Sequence, residues 1–171
     1  MVKKLSSEPY SAEEFHILGI ATQLRDYRLC HQINKTLYLD LEKIDDLSAE
    51  LSDEKTLGYF SIYRFQKPEN YIDFFLIANK SPDGILLPDL RQADFFLVIH
   101  GPFSKESQDR FIKTAKTIPG VLAAFRIEIT KQKKIDNFLG ELEMHMIAYE
   151  SKGKGKQNVP LKHDRFSKQT D

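Results

Sequence analysis

Between Phe15 and Ala21 the chain reads Phe-His-Ile-Leu-Gly-Ile-Ala, with apolar side chains at nearly every position. That density predicts a buried strand over about 15–21. A helix is expected next, over about 23–36, because Asp26, Leu29, Cys30, Ile33 and Leu37 recur at steps of three and four and define one inward stripe with Asp26 at its wet end. Ser11 and Glu14 have the spacing of a capping box, so one continuous helix over 11–36 is the alternative. Leu37, Leu39 and Leu41 then alternate with Tyr38, Asp40 and Glu42, the pattern of a strand with one solvated face. The acidic stretch from Asp45 to Asp53 reads as a polar turn or a short helix.

Tyr59, Ser61, Tyr63 and Phe65 alternate, Lys67-Pro68-Glu69-Asn70 turns the chain, and Tyr71 to Ala78 returns, which predicts an aromatic hairpin. Ser81-Pro82-Asp83-Gly84 is a second turn, with proline suited to its second position. Phe95 to Ile99 forms a continuous apolar strand closed by Gly101-Pro102. Ser104 opens a helix running to about Thr117, with Glu106 in its first turn and Phe111, Ile112 and Ala115 inward; Pro119-Gly120 ends it. Val121 to Ile129 is a further strand, and residues 136–150 fit either a helix or an edge strand. The order predicts an α+β fold, a mainly antiparallel sheet with helices packed on it, as a single domain over 1–150. From Ser151 there is little to bury, so 151–171 is expected to be a basic, flexible C-terminal tail.

Composition supports this frame. A chain of 171 residues with 41% apolar content, 12 Phe and 7 Tyr suits one globular domain with a sizeable core. No apolar run approaches the roughly 20 residues that span a bilayer, and no signal peptide is read, so a cytoplasmic location is expected. The single cysteine, Cys30, excludes an intramolecular disulfide or a cysteine-based zinc cluster. Net charge is zero but unevenly spread: residues 1–50 carry 6 basic and 9 acidic side chains, 51–100 carry 5 and 7, and 101–171 carry 14 and 9. Most of the last excess lies in 151–171, with 6 basic against 2 acidic, which points to an anionic partner.

Catalytic signals are weak. No phosphate-cradling glycine loop occurs; Gly153 and Gly155 stand in a lysine-rich stretch with no strand before them. Glu141, Glu143 and His145 would share one face if their segment were a strand, and could then hold a divalent metal. His100 stands at a strand end. His31 follows Cys30, but neighbouring helical residues point about 100° apart, so Cys30 reads as a small buried apolar residue. Basic residues offer more. Arg126, Lys131, Lys133 and Lys134 lie together, Lys152, Lys154 and Lys156 alternate with glycine or end that run, and Lys162, Arg165 and Lys168 continue it beside Phe166. Lysines spaced by glycine suit salt-sensitive, sequence-independent contact with phosphates, and Phe166 could stack on a base.

Leu87-Pro88-Asp89-Leu90-Arg91-Gln92-Ala93-Asp94-Phe95 resembles the signature of the IPExxxVDY family of Bacteroidetes proteins. Pro88 and Asp94 match it. Leu87, Asp89, Ala93 and Phe95 are mild departures from Ile, Glu, Val and Tyr. Asp26-Tyr27-Arg28-Leu29-Cys30 and Leu76-Ile77-Ala78-Asn79 also look like family segments, so the resemblance covers about 15–130. It implies no activity or cofactor, and a gene often found beside that for ribonuclease III. Within the motif, Pro88 fixes φ and Asp89 is placed to accept from following backbone N–H groups. Asp94 enters the strand at Phe95, placed to accept backbone donors or pair with Arg28 or Arg91, so the motif reads as structural. Together these features lead to the expectation of a non-enzymatic, RNA-associated protein at the ribosome, contacting ribosomal RNA and neighbouring ribosomal proteins. No cofactor, membrane or small-molecule substrate is expected. The alternative is a protein-binding adaptor acting through the hairpin 59–75; a metal-dependent enzyme ranks below both.

Overall fold

The computed structural model describes residues 15–51, 56–129 and 133–157, the last four by backbone alone. In chain order the elements are β1 (Phe15–Thr22), α1 (Asp26–Leu37), β2 (Glu42–Lys43), β3 (Leu47–Glu50), β4 (Leu57–Phe60) and β5 (Ile62–Lys67). Next come β6 (Ile72–Ala78), β7 (Lys80–Ser81), β8 (Gly84–Ile85), β9 (Phe95–His100), α2 (Lys105–Ala115), β10 (Val121–Ile127) and α3 (Lys133–Gln157). Six strands form one sheet in the order β10-β1-β9-β6-β5-β2, and every pairing in it is antiparallel. The fold is therefore a single α+β domain of the predicted kind.

The sheet is buried on both faces, which explains the near-continuous apolar runs of β1, β6 and β9. Alternate residues of a strand point to opposite faces. Leu18, Ile20, Leu76 and Leu97 meet Leu29, Cys30 and Ile33 of α1, with Phe111 and Ile112 of α2 packed against the same cluster. Ile17, Phe75, Ile77, Phe96 and Val98 meet Ile135, Phe138, Leu139 and Leu142 of α3, together with Leu47 of β3. Helices thus cover each face of the sheet.

The strand at 15–21 and the helix after it are observed, as are the 81–84 turn and the helix capped by Ser104, whose side chain accepts from the Ser107 N–H. Ser11 and Glu14 lie outside the described residues. Three expectations need correction. Residues 37–42 are not a strand: Leu37 completes the buried stripe of α1, Tyr38 ends the helix at φ 57°, and only Glu42–Lys43 pair with β5. Asn34 holds the intervening loop, accepting from Leu41 N–H at 2.8 Å and donating to Leu41 C=O at 3.0 Å. The acidic stretch is a strand over Leu47–Glu50, because Leu47 and Ala49 face the core while Ser48 and Glu50 face out. The aromatic strand 59–65 divides at Ser61: β4 pairs with β3 in a separate two-stranded sheet, and β5 joins the main one. The buried residues at the break are Phe60 and Ile62, while Tyr59 is exposed.

Residues 136–150 resolve to helix. α3 runs on past residue 150 to Gln157, so Lys152, Lys154 and Lys156 belong to a helix and not to a glycine-spaced flexible run. Residues 158–171 lie outside the described residues. No helix among the described residues is long and apolar enough to cross a membrane.

Candidate nucleic-acid interface

The 87–95 segment is fastened inward. Pro88–Leu90 forms a short 3-10 turn between the buried side chains of Leu87 and Ala93. Asp94 accepts from the Thr22 N–H at 2.8 Å and pairs with Lys80 at 2.7 Å, so the cation beside it is neither Arg28 nor Arg91. Arg91 Nε instead donates to the Pro88 carbonyl at 3.3 Å, Asp89 pairs with Lys134 at 3.1 Å, and Phe95 is buried. The hub of the segment is Asn79, which is fully buried. Its Nδ2 donates to the carbonyls of Ala93 (2.8 Å) and Leu90 (3.1 Å), and its Oδ1 accepts from the Leu87 N–H at 2.8 Å.

The helical form of α3 separates the three groups that a strand would have aligned. Glu141 and His145, four residues apart, lie on one side of α3, whereas Glu143 lies some 200° round the helix from Glu141. Glu141 faces a cleft beside β3 and accepts from the Glu50 N–H at 3.4 Å. Glu143 lines a different cavity, of about 140 Å³, with His100, Asp73 and Glu150. Burial raises the carboxyl pKa of Glu141, partly opposed by the bond from Glu50 N–H, and that of Glu143, partly opposed by the His100 charge. Burial lowers that of His145, against the backbone and carboxylate of Asp45. Among the described residues, no group of three or more His, Cys, Asp or Glu is placed to hold a metal ion. Cys30 is buried against the Leu41 carbonyl, and burial chiefly, with the Asp26 charge, pushes its thiol up to about 11. His31 is exposed, so the two form no dyad.

Among the described residues, the predicted basic side chains of Arg126, Lys133, Lys134 and Lys152 do not gather into one patch. Arg126 on β10 donates to Gln108 at 3.0 Å and pairs with Asp109 of α2. Lys134 is paired with Asp89, and Lys152 with Asp45 at 3.6 Å. Lys133 is exposed at the start of α3. At 1.5 Å per residue, Lys134 and Lys152 stand about 27 Å apart along α3. Lys154 and Lys156 fall in its last turns, where only the backbone is described, and Lys131, Lys162, Arg165 and Lys168 lie outside the described residues.

A stronger cationic surface lies elsewhere. α1 and α2 pack side by side on one face of the sheet. Their outward stripes expose Arg25, Arg28 and Lys35 from the first, and Lys105, Arg110, Lys113 and Lys116 from the second. None of these seven forms an ion pair with another described residue. Nearby acids are few. Asp26 is half-buried and accepts from the Tyr63 hydroxyl at 3.0 Å, and Asp109 is paired with Arg126, which leaves Glu106 and, just past the end of α1, Asp40. Tyr27 on α1 and Tyr38 at its end expose their rings. The opposite layer has the reverse sign: segments 45–50 and 133–153 carry seven acidic and three basic residues.

That opposite layer also contains the cleft faced by Glu141. It measures about 950 Å³ and lies between α3, Ser48–Leu51 and Leu86–Pro88. No family model, curated protein or solved structure matches the chain.

Proposed function

We propose that the chain is a non-enzymatic RNA-associated protein whose α1–α2 layer meets the phosphate backbone, with ribosomal RNA as the partner. The observation that supports this is the set of seven outward cations on two adjacent helices, none of them in an ion pair with another described residue. Unpaired surface cations gain most from a polyanion, because each phosphate contact releases a condensed counterion. Tyr27 and Tyr38 add exposed rings of the kind on which bases stack. The ribosomal setting rests on the resemblance to the IPExxxVDY family and the ribonuclease III neighbourhood that it implies. The hairpin 59–75 offers less for an adaptor surface, exposing Tyr59 and Tyr71 while Tyr63, Phe74 and Phe75 are buried and the rings of Phe65, Phe74, Phe103 and Phe111 pack on one another.

Fluorescence anisotropy with a ribosomal RNA fragment tests the binding. Sucrose-gradient sedimentation of a lysate tests the setting. With up to seven phosphate contacts, affinity should fall by up to about 6,000-fold between roughly 50 and 200 mM salt. Reversing Arg28, Lys113 and Lys116 to Glu should weaken binding by at least about tenfold while the circular dichroism spectrum stays unchanged. A chain lacking 158–171 should keep most of its affinity. If the charge-reversed chain binds as well as wild type, the α1–α2 assignment is wrong. If the full chain stays at the top of a low-salt gradient, the ribosomal setting is wrong.

A further inference from the structure

The cleft between α3 and β3 has the opposite character to the α1–α2 layer. Its apolar surface comes from Leu51, Leu86, Phe138 and Met144, and Met144 is well exposed. Glu50, Asp136 and Glu141 stand at its rim. The one lysine of the lining, Lys134, is already paired with Asp89 outside it. Glu141 is half-buried, and its one contact among the described residues is the long bond from Glu50 N–H. A half-buried carboxylate without a cation is poorly compensated. Phosphate would be repelled here.

Gly140 adds an independent observation. It occupies the interior of α3 and faces the cleft. Glycine there weakens a helix by about 1 kcal/mol relative to alanine. Internal packing does not require it, since a Cβ at this position would meet no atom within 4 Å. What the missing side chain does provide is unobstructed access to the backbone of α3 from the cleft.

We infer that this cleft docks a polypeptide segment of a partner protein, one that lays apolar side chains between Leu86 and Met144 and directs a lysine or arginine to Glu141. Charge complementarity selects the basic residue, the apolar walls select its neighbours, and the bare backbone at Gly140 permits close approach. A flexible, polarisable methionine suits such a surface because it repacks around different side chains. The site is separate from the α1–α2 layer, so the protein would carry an RNA face and a protein face on opposite sides of one sheet.

Selection of a random dodecapeptide library on the full chain tests this. Enriched peptides should combine apolar positions with Lys or Arg. A synthetic peptide of the consensus should bind the Gly140→Arg chain at least about tenfold more weakly, and the Glu141→Gln chain a few-fold more weakly. Gly140→Arg fills the cleft and repels the basic residue, yet has room to fold, which a urea midpoint no lower than that of wild type would verify. An acidic consensus, no enrichment, or equal affinity for wild type and the Gly140→Arg chain overturns the inference. So does a peptide whose binding is lost on reversing Arg28, Lys113 and Lys116, because it would be using the RNA face.

Discussion

Replacing Asn79 with alanine should be among the most damaging single substitutions outside the main cluster of apolar side chains. The side chain makes two bonds of 2.8 Å, one of 3.1 Å and a long one of 3.5 Å to the backbone of the 87–93 loop. After truncation the Leu90 carbonyl keeps the Ala93 N–H at 3.0 Å, but the Leu87 N–H and the Ala93 carbonyl lose their side-chain partner. A buried polar group left without a partner costs about 1–3 kcal/mol. Two such groups, with the small void, give an expected loss of about 3–5 kcal/mol, a large share of the roughly 5–15 kcal/mol that holds a domain together. Asn79→Asp should be no better: it keeps the bond from Leu87 N–H but turns negative charge on the carbonyl oxygens of Leu87, Leu90 and Ala93. Urea denaturation gives the stability change, and hydrogen exchange at the Leu87 amide reports whether the loop opens locally. Lys80→Ala is the control, since it breaks only an exposed ion pair and should cost under about 1 kcal/mol. An Asn79→Ala chain within about 1 kcal/mol of wild type, with Leu87 still protected, would refute the reasoning.

Gly140→Ala should stabilise the chain by about 1 kcal/mol. Gly101→Ala should destabilise it by roughly 2 kcal/mol or more, because Gly101 sits at φ 126° and a Cβ would stand 2.6 Å from the Tyr71 carbonyl oxygen; urea midpoints that fail to move in opposite directions would contradict both. Cys30, with its thiol at about 11 against 9.0 unperturbed, should react with a thiol reagent at pH 8 at least about a hundredfold more slowly in the native state than in urea. Equal rates would mean that it is not buried. His145 has its folded pKa below the unfolded value of 6.5, so the unfolded chain takes up the proton first and stability falls as pH drops below about 6.5. The His145→Gln chain should lose less stability than wild type between about pH 7.5 and 5.5, and identical slopes would count against this. Glu141 and Glu143 act in the opposite sense, adding stability as pH falls toward 4.5.

Much of the core could be read from the sequence because its signals are local. β1, β6 and β9 are buried on both faces and announce themselves as apolar runs, and α1 and α2 each have a repeating inward stripe with clear ends. Where a residue's role depended on a distant partner, the reading failed. Leu37 alternates with Leu39 and Leu41, yet α1 keeps it because Ile33 and Leu29 form a continuous stripe with it against the sheet. β3 is a strand because β4 pairs with it, whatever its charge. The candidate interface was hidden for a related reason. Arg25 to Lys35 fall in the acid-rich first fifty residues, and Lys105 to Lys116 stand about eighty positions further on. Summing charge along the chain assigns them to different blocks, and only the packing of α1 on α2 makes them one surface. The outward complement of the two apolar stripes was the available signal.

The place of β1 has a consequence for how the protein is made. The first strand among the described residues, it lies inside the sheet, between β9 and β10, and both neighbours are encoded far downstream. At synthesis rates of about 5–20 residues per second, roughly 4–15 s pass between the appearance of Thr22 and that of Phe95. Throughout that interval Phe15–Thr22 has two unsatisfied edges and apolar side chains on both faces. The native pairing of β1 is complete only once β9 and β10 have both been made.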